Sequence, residues 1–252
     1  MERERYLECL AADYTRLREV AATADPAAKV PTCPEWTVAD LVGHVANVYW
    51  HKAECMRLGK HPEWWPPDTS GEDPVALLDR TYQDLTNEFA ARASDSPAYT
   101  WYEPDQTVGF WIRRMAQESV IHRVDGELGA GAEIAPIPDD LALDGIDELV
   151  DAFLQYGSRA WPDEYGDVLQ SADGRGVLVE AGGQAWLIRP TAHGIEGRPA
   201  RAGDKPAGAT VSGPPAGTLL WLWNRAGDDA VTVTGDADLV AYLKRILATG
   251  TQ

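Results

Sequence analysis

The chain has 252 residues, of which 44% are hydrophobic and 25% are charged, the composition of a globular protein with a sizeable buried core. Its formal net charge of −18 repels phosphate backbones and anionic lipid surfaces, so we expect neither nucleic acid nor a membrane as a partner. The scattered cysteines, the charged N-terminus and the lack of a long apolar run favour a cytoplasmic protein without disulfides or a signal peptide.

Four helices are predicted in the first part of the chain. Apolar side chains recur at helical spacing over residues 3–22, and a second helix begins at Thr37, where Asp40 occupies a capping-box position. The third helix covers about 74–92 and the fourth covers 107–128. Two longer connections join them. This pattern is typical of a four-helix bundle, a scaffold that can hold metal ligands on facing helices.

Beyond the fourth helix the apolar pattern changes from helical to alternating. A fifth helix is predicted over residues 139–159, and two alternating segments then flank Gly182-Gly183, which indicates a β-hairpin. Further elements are predicted as short strands at 209–212 and 231–234 and helices at 218–225 and from Asp236. We therefore predict an α+β protein of two domains, with a metal-binding helical bundle over residues 1–160 and a small α+β domain over residues 161–252.

Glu118 and His122 lie one turn apart on the fourth helix and project from one face, while His44 lies on the apolar stripe of the second helix. Taken alone, His44 is more often a hydrogen-bonded core residue, and a Glu–His pair at this spacing is often a surface pair. A carboxylate on a mostly apolar face needs a partner, however, and a divalent cation supplies one. If the three side chains meet, two imidazoles and one carboxylate leave coordination positions open, as in catalytic metal sites.

Other polar residues have simpler interpretations. Asp125 either orients a ligand histidine or is an acid at the helix end that is exposed or paired with Arg123, and the sequence favours neither. His51 is expected to pack in the bundle, and His61 and His193 are expected in exposed loops. Cys33 precedes a helix N-terminus, where a thiol pKa is lowered, but a small buried residue is the favoured interpretation.

Four segments resemble, in the same order, the mycothiol-dependent maleylpyruvate isomerase family. Residues 32–44 (TCPEWTVADLVGH) resemble the beginning of its second helix, and residues 116–127 (AQESVIHRVDGE) resemble its fourth helix. Residues 143–148 (LDGIDE) resemble its inter-domain helix, and residues 220–225 (LWLWNR) resemble part of its C-terminal domain. The resemblance extends over essentially the whole chain. It implies a DinB-like four-helix bundle followed by a small domain like that of sterol-carrier proteins.

The resemblance also implies a set of site residues. In this family the metal is usually zinc, held by one histidine of the second helix and by a glutamate and a histidine of the fourth. These positions match His44, Glu118 and His122. The C-terminal domain of the family carries an arginine that is important for activity. Arg225 is the best match by local pattern and Arg189 is the alternative, and this arginine would have a catalytic and cofactor-binding role.

The function implied is that of a metal-dependent enzyme that uses a low-molecular-weight thiol, such as mycothiol, as cosubstrate. A thiol coordinated to a metal is deprotonated at neutral pH, because the cation stabilises the thiolate. The thiolate could add to an activated double bond, allow rotation and leave, which isomerises the substrate. Alternatively, it could stay attached, as in an S-transferase. Arg225 would bind a carboxylate of the small substrate or the polar groups of the thiol.

Two other functions fit the same three residues. A hydrolase or lyase would use a zinc-bound hydroxide, since zinc lowers the pKa of bound water to about 7, and its rate would not depend on a thiol. A non-catalytic module would bind a metal or another ligand without turnover. A fourth protein ligand on the metal would favour that module, because closed coordination is typical of structural sites.

Overall fold

The structure is a computed structural model that describes residues 1–69, 71–201, 204 and 208–250. The chain divides into two compact units, Met1–Ala135 and Pro136–Gln252. The first is helical with a short hairpin and the second combines helices with a sheet, which confirms the predicted two-domain α+β fold class. The domain boundary drawn after residue 160 stays a prediction from the sequence. Among the described residues, no helix is both long and apolar enough to cross a membrane.

The first unit is built on long helices that match those predicted. They are α1 (Arg3–Thr23), α2 (Val38–Leu58), α3 (Pro74–Ala91) and α4 (Val108–Gly129). Between α1 and α2 the chain forms an antiparallel hairpin of β1 (Lys29–Val30) and β2 (Cys33–Thr37). The sequence pattern indicates only a loop there, because strands of 2 and 5 residues are too short to show a clear alternation.

Side-chain caps fix where these helices begin. The Thr37 hydroxyl accepts a hydrogen bond from the Asp40 amide at 3.2 Å, and Asp40 Oδ2 accepts one from the Thr37 amide at 2.9 Å, which is the predicted capping box. Asp73 caps α3 and Thr107 caps α4 in the same manner. After α2 the backbone turns at Gly59, whose φ of 64° suits a residue without Cβ. The caps therefore set which residues of α2 and α4 face the interior.

α2 and α4 pack against each other in antiparallel directions. Val38, at the start of α2, contacts the end of α4 at Gly129, where an added Cβ would lie 3.0 Å from Val38 Cγ2. Further along α2, the Tyr49 hydroxyl lies 2.5 Å from Ser119 Oγ. α4 is buried along almost its whole length, so it is the central helix of the unit.

The second unit begins with a long helical segment. α5 (Asp139–Glu148) continues without interruption as a π-helical stretch, Leu149–Gly157. Three short helical pieces follow, namely α6 (Ser158–Ala160), α7 (Pro162–Tyr165) and a 3-10 turn at Gly166–Ser171. Two further helices come later in the chain, α8 (Pro215–Leu222) and α9 (Ala237–Gly250).

The sheet of the second unit contains one parallel pair among antiparallel neighbours. Its strands are β3 (Val177–Ala181), β4 (Gln184–Thr191), β5 (Gly194–Pro199), β6 (Ala209–Gly213) and β7 (Thr232–Gly235). Their order is β5-β4-β3-β6-β7, with β3 and β6 parallel. The β3–β4 turn falls at the predicted Gly182-Gly183, where φ is 54° and 80°. β5 is not predicted, because Gly194 and Gly197 interrupt its apolar alternation.

Candidate metal centre

Three side chains that the sequence singles out meet inside the first unit. His44 comes from α2, whereas Glu118 and His122 lie one turn apart on α4. His44 Nε2 is 3.5 Å from Glu118 Oε1, and His122 Nε2 is 3.3 Å from the same oxygen. One donor atom from each of the three residues lies within 4.8 Å of the other two. The antiparallel packing of two helices therefore produces a compact cluster of two imidazole nitrogens and one carboxylate oxygen.

The cluster fits a divalent cation. Ligands that bind one tetrahedral ion at about 2.0–2.2 Å are themselves about 3.4 Å apart, which is close to the two nitrogen–oxygen separations here. Imidazole and carboxylate donors suit zinc and the neighbouring transition metals. Within the described residues of this unit, no further His, Cys, Asp or Glu joins the cluster. Three protein donors leave room for an exogenous ligand, as in catalytic sites.

Solvent reaches the cluster mainly from the side of α2. The side chain of His44 is 34% exposed, against 18% for Glu118 and 11% for His122. Trp36, from β2, packs on the imidazole of His44 with ring centroids 4.6 Å apart. The indole restricts the rotation of the His44 ring, and the cluster stays open to solvent on that side.

Arg114 fixes the orientation of the Glu118 carboxylate. Its Nη2 donates to Glu118 Oε2 at 2.8 Å, which turns Oε1 towards the histidines. Burial alone would raise the pKa of Glu118, but the two histidines and Arg114 outweigh that effect and hold the pKa well below its ordinary value. The carboxylate is therefore ionised, and its Oε1 faces the two histidines while Oε2 is held by Arg114.

Asp125 holds His122, the second histidine of the cluster. His122 Nδ1 lies 3.0 Å from Asp125 Oδ2, and Thr32 donates its hydroxyl to Asp125 Oδ1 at 2.6 Å. Asp125 is fully buried, so of its two interpretations the orienting role fits and the exposed acid does not. Burial lowers the pKa of His122, but Glu118 and Asp125 outweigh it and raise that pKa to about 9. A carboxylate on Nδ1 leaves Nε2 directed at the other donors.

The predicted arginine lies in the second unit, just after α8. Arg225 is half-buried; its Nη1 donates to the Trp223 carbonyl at 2.7 Å, and its guanidinium lies 6.0 Å from the centroid of the Trp223 ring. The alternative, Arg189 on β4, forms an ion pair with Glu196 at 2.6 Å. Arg225 stays the first candidate because its local sequence pattern matches the family best, and its role stays a prediction.

Sequence reasoning missed three residues that shape this centre. Arg114 is one turn before Glu118 on the same helix face, so its spacing could have indicated the contact. Trp36 and Thr32 belong to the hairpin before α2, and their contacts depend on a fold that the local pattern does not reveal. Of the histidines, His193 is exposed in a turn as predicted. His51 is buried, as expected of a packing residue, and its ring also accepts a hydrogen bond from Lys52.

Comparison with known proteins identifies both parts of the chain. The family model described as the mycothiol maleylpyruvate isomerase N-terminal domain matches residues 7–126, and the model described as the MDMPI C-terminal domain matches residues 140–241. A search of curated protein sequences gives no match.

Two crystal structures resemble the whole chain. They are the mycothiol-dependent maleylpyruvate isomerase, with a TM-score of 0.63, and a histidine-to-alanine mutant of it, with a TM-score of 0.65. Each is 18% identical in sequence, and the match covers 94% of this chain and 95% of the other. At that level of identity the likeness shows a common fold.

Proposed function

The chain belongs to the mycothiol-dependent maleylpyruvate isomerase family, and on that basis we propose that it is a metal-dependent enzyme that uses a thiol of the mycothiol type. Its substrate is a small molecule with a carboxylate and an activated double bond, which it isomerises or conjugates to the thiol. The observation that carries this proposal is the cluster of His44, Glu118 and His122, with donor atoms within 4.8 Å of one another and one exposed face.

His44, Glu118 and His122 would hold the metal, for which zinc is the first choice by donor type. When bound, zinc supplies a positive charge that keeps a coordinated thiol deprotonated at neutral pH. Around it, Arg114 keeps Glu118 Oε1 directed at the histidines, and Asp125 keeps the proton of His122 on Nδ1. Arg114 and Asp125 thus orient the donor atoms of Glu118 and His122 before an ion binds.

Arg225 is proposed to bind a carboxylate of the substrate. A planar guanidinium suits this role because it can donate two parallel hydrogen bonds to one carboxylate. Its contact with the Trp223 ring supports the proposal, since an indole face restricts the rotation of the guanidinium.

The test is the rate of maleylpyruvate isomerisation with purified, zinc-loaded protein and mycothiol. We expect turnover that needs both the thiol and the metal, so that a chelator abolishes it and added zinc restores it. Turnover that a chelator leaves unchanged would contradict the proposal. If turnover instead requires the metal but no thiol, the same three residues would serve a hydrolase or lyase.

A further inference from the structure

A half-buried lysine, Lys52, lies outside the cluster of His44, Glu118 and His122, further along α2 and beside α4. Lys52 is eight residues beyond His44 on α2, about 12 Å along the helix axis. Its Nζ is 5.0 Å from the centroid of the Trp111 ring on α4. Trp111 precedes Glu118 by seven residues, and α2 and α4 are antiparallel, so Lys52 and Trp111 lie on the same side of the cluster.

In the described part of the chain, the ammonium group of Lys52 lacks the carboxylate partner that many other cations of the first unit have. Among the described residues of the first unit, no carboxylate lies within ion-pair distance of Nζ, whose nearest partner is His51 Nδ1 at 3.0 Å. Cys55, beside His51, is no substitute, because burial raises the pKa of that thiol to about 11. Ion pairs with carboxylates are formed by Arg16, Arg18, Arg57, Lys60, Arg80, Arg92, Arg114 and Arg123.

This arrangement is unusual in a chain with 40 acidic and 22 basic residues. Acidic side chains are abundant, yet the half-buried ammonium of Lys52 faces indole rings and an imidazole. Burial lowers the pKa of Lys52 to about 8, but the group still carries its charge at pH 7. A desolvated cation with no carboxylate in ion-pair contact among the described residues is a group that a bound anion can stabilise.

His51 holds Lys52 in place and is itself in contact with His61. Lysine can only donate, so His51 Nδ1 is the acceptor and His51 carries its proton on Nε2. His51 Nε2 lies 3.3 Å from His61 Nε2, and His61 Nδ1 donates to the Pro62 carbonyl at 2.7 Å. Burial, Lys52 and His61 together lower the pKa of His51 to about 3, which agrees with a neutral ring. The loop after α2 thus fixes the ammonium through a chain of hydrogen bonds.

We propose that Lys52 binds a carboxylate of the substrate, at a point about two helical turns from the metal cluster. This inference rests on the proposed function and adds an anion site within the first unit, separate from the one proposed for Arg225. The ammonium would donate charge-assisted hydrogen bonds to the carboxylate, while the faces of Trp111 and Trp65 exclude water from it. Lys52 would then determine which end of an extended substrate lies near the metal.

Lys52→Met tests this proposal in the zinc-loaded protein, because methionine keeps an unbranched side chain and removes the charge. We expect the KM for maleylpyruvate to rise about tenfold or more, the size of effect of a lost hydrogen bond between charged groups. The KM for mycothiol and the zinc content should stay unchanged. Lys60→Met is the matched control, since Lys60 is exposed and pairs with Glu63, and it should behave like the wild type. A rise confined to the KM for mycothiol, or no rise, would overturn the proposal.

A binding measurement separates this inference from the proposed function. Calorimetry with maleate and with its monoamide, maleamate, gives the contribution of one carboxylate to affinity without any turnover. The wild type should bind maleate at least about tenfold more tightly, and Lys52→Met should lose most of that preference. Wild-type protein that binds both equally would overturn the role of Lys52 even if the variant does not fold. If maleylpyruvate is not turned over at all, the proposed function fails, while this comparison still reports on Lys52.

Discussion

Replacing Asp125 with Asn should weaken the binding of zinc without disturbing the fold. Asp125 is fully buried, accepts from Thr32 through one oxygen and lies 3.0 Å from His122 Nδ1 through the other. Asparagine keeps an acceptor for His122 and a polar group for the Thr32 hydroxyl, so the substitution removes the charge and little else. The effect on the metal therefore comes from the basicity of His122 alone.

The magnitude follows from the type of hydrogen bond. A hydrogen bond to a charged group contributes about 1.5–3 kcal/mol and a neutral one about 0.5–1.5 kcal/mol. The difference of about 1–1.5 kcal/mol corresponds to a roughly tenfold higher Kd for zinc. Partners of metal-bound histidines have effects of about 10- to 100-fold, which brackets this value.

Competition with a chromophoric chelator measures the Kd for zinc in the wild type and in Asp125→Asn. Asp84→Asn serves as the control, because Asp84 is a partly exposed residue of α3 with a long ion pair, 3.6 Å, to Arg57. We expect the control to bind zinc like the wild type. Equal affinity in Asp125→Asn, with His122 required for binding, would refute the orienting role of Asp125.

Three further results are expected. Burial, partly offset by Arg123, raises the pKa of Asp13 from 3.8 to about 6. Between pH 3.8 and pH 6 the folded state therefore binds more protons than the unfolded state, so the free energy of unfolding falls as the pH rises through this range. Between pH 4 and pH 7, the fall in the free energy of unfolding, measured with urea, should be smaller by about 2 kcal/mol in Asp13→Asn than in the wild type. Equal falls would contradict this reasoning. Arg225→Met should raise the KM for a carboxylate substrate about tenfold, whereas Arg189→Met should not; the reverse order would exchange their roles. Gly197→Ala should lower the free energy of unfolding by about 1–3 kcal/mol, because its Cβ would overlap the Val150 carbonyl, and unchanged stability would contradict that close contact.

The cluster of His44, Glu118 and His122 was predictable because the residues of each helix are related by local sequence spacing. Glu118 and His122 are related by helical spacing, and the capping box at Thr37 fixes the register that turns His44 inward. Burial of a glutamate on an apolar face then indicates a cation. The local pattern could only suggest that α2 and α4 pack against each other. The helical bundle brings the two helices together.

Other features depend on contacts between residues distant in sequence. The hydrogen bond of Thr32 to Asp125 joins a hairpin to the central helix across 93 positions. The contact of His51 with His61 depends on the path of a loop whose composition indicates only irregular structure. β5 could not be predicted because two glycines interrupt the apolar alternation of the strand, and Gly197 is needed where the Val150 carbonyl comes close.

Metal analysis of purified protein tests the central claim most directly. Wild-type protein, His44→Ala and the exposed control His193→Ala are loaded with zinc, dialysed against metal-free buffer and analysed for bound metal. We expect about one zinc per chain in the wild type and in His193→Ala, and little in His44→Ala, since two donors hold the ion far less tightly than three. Equal zinc in His44→Ala and the wild type, or none in either, would contradict a metal centre formed by His44, Glu118 and His122.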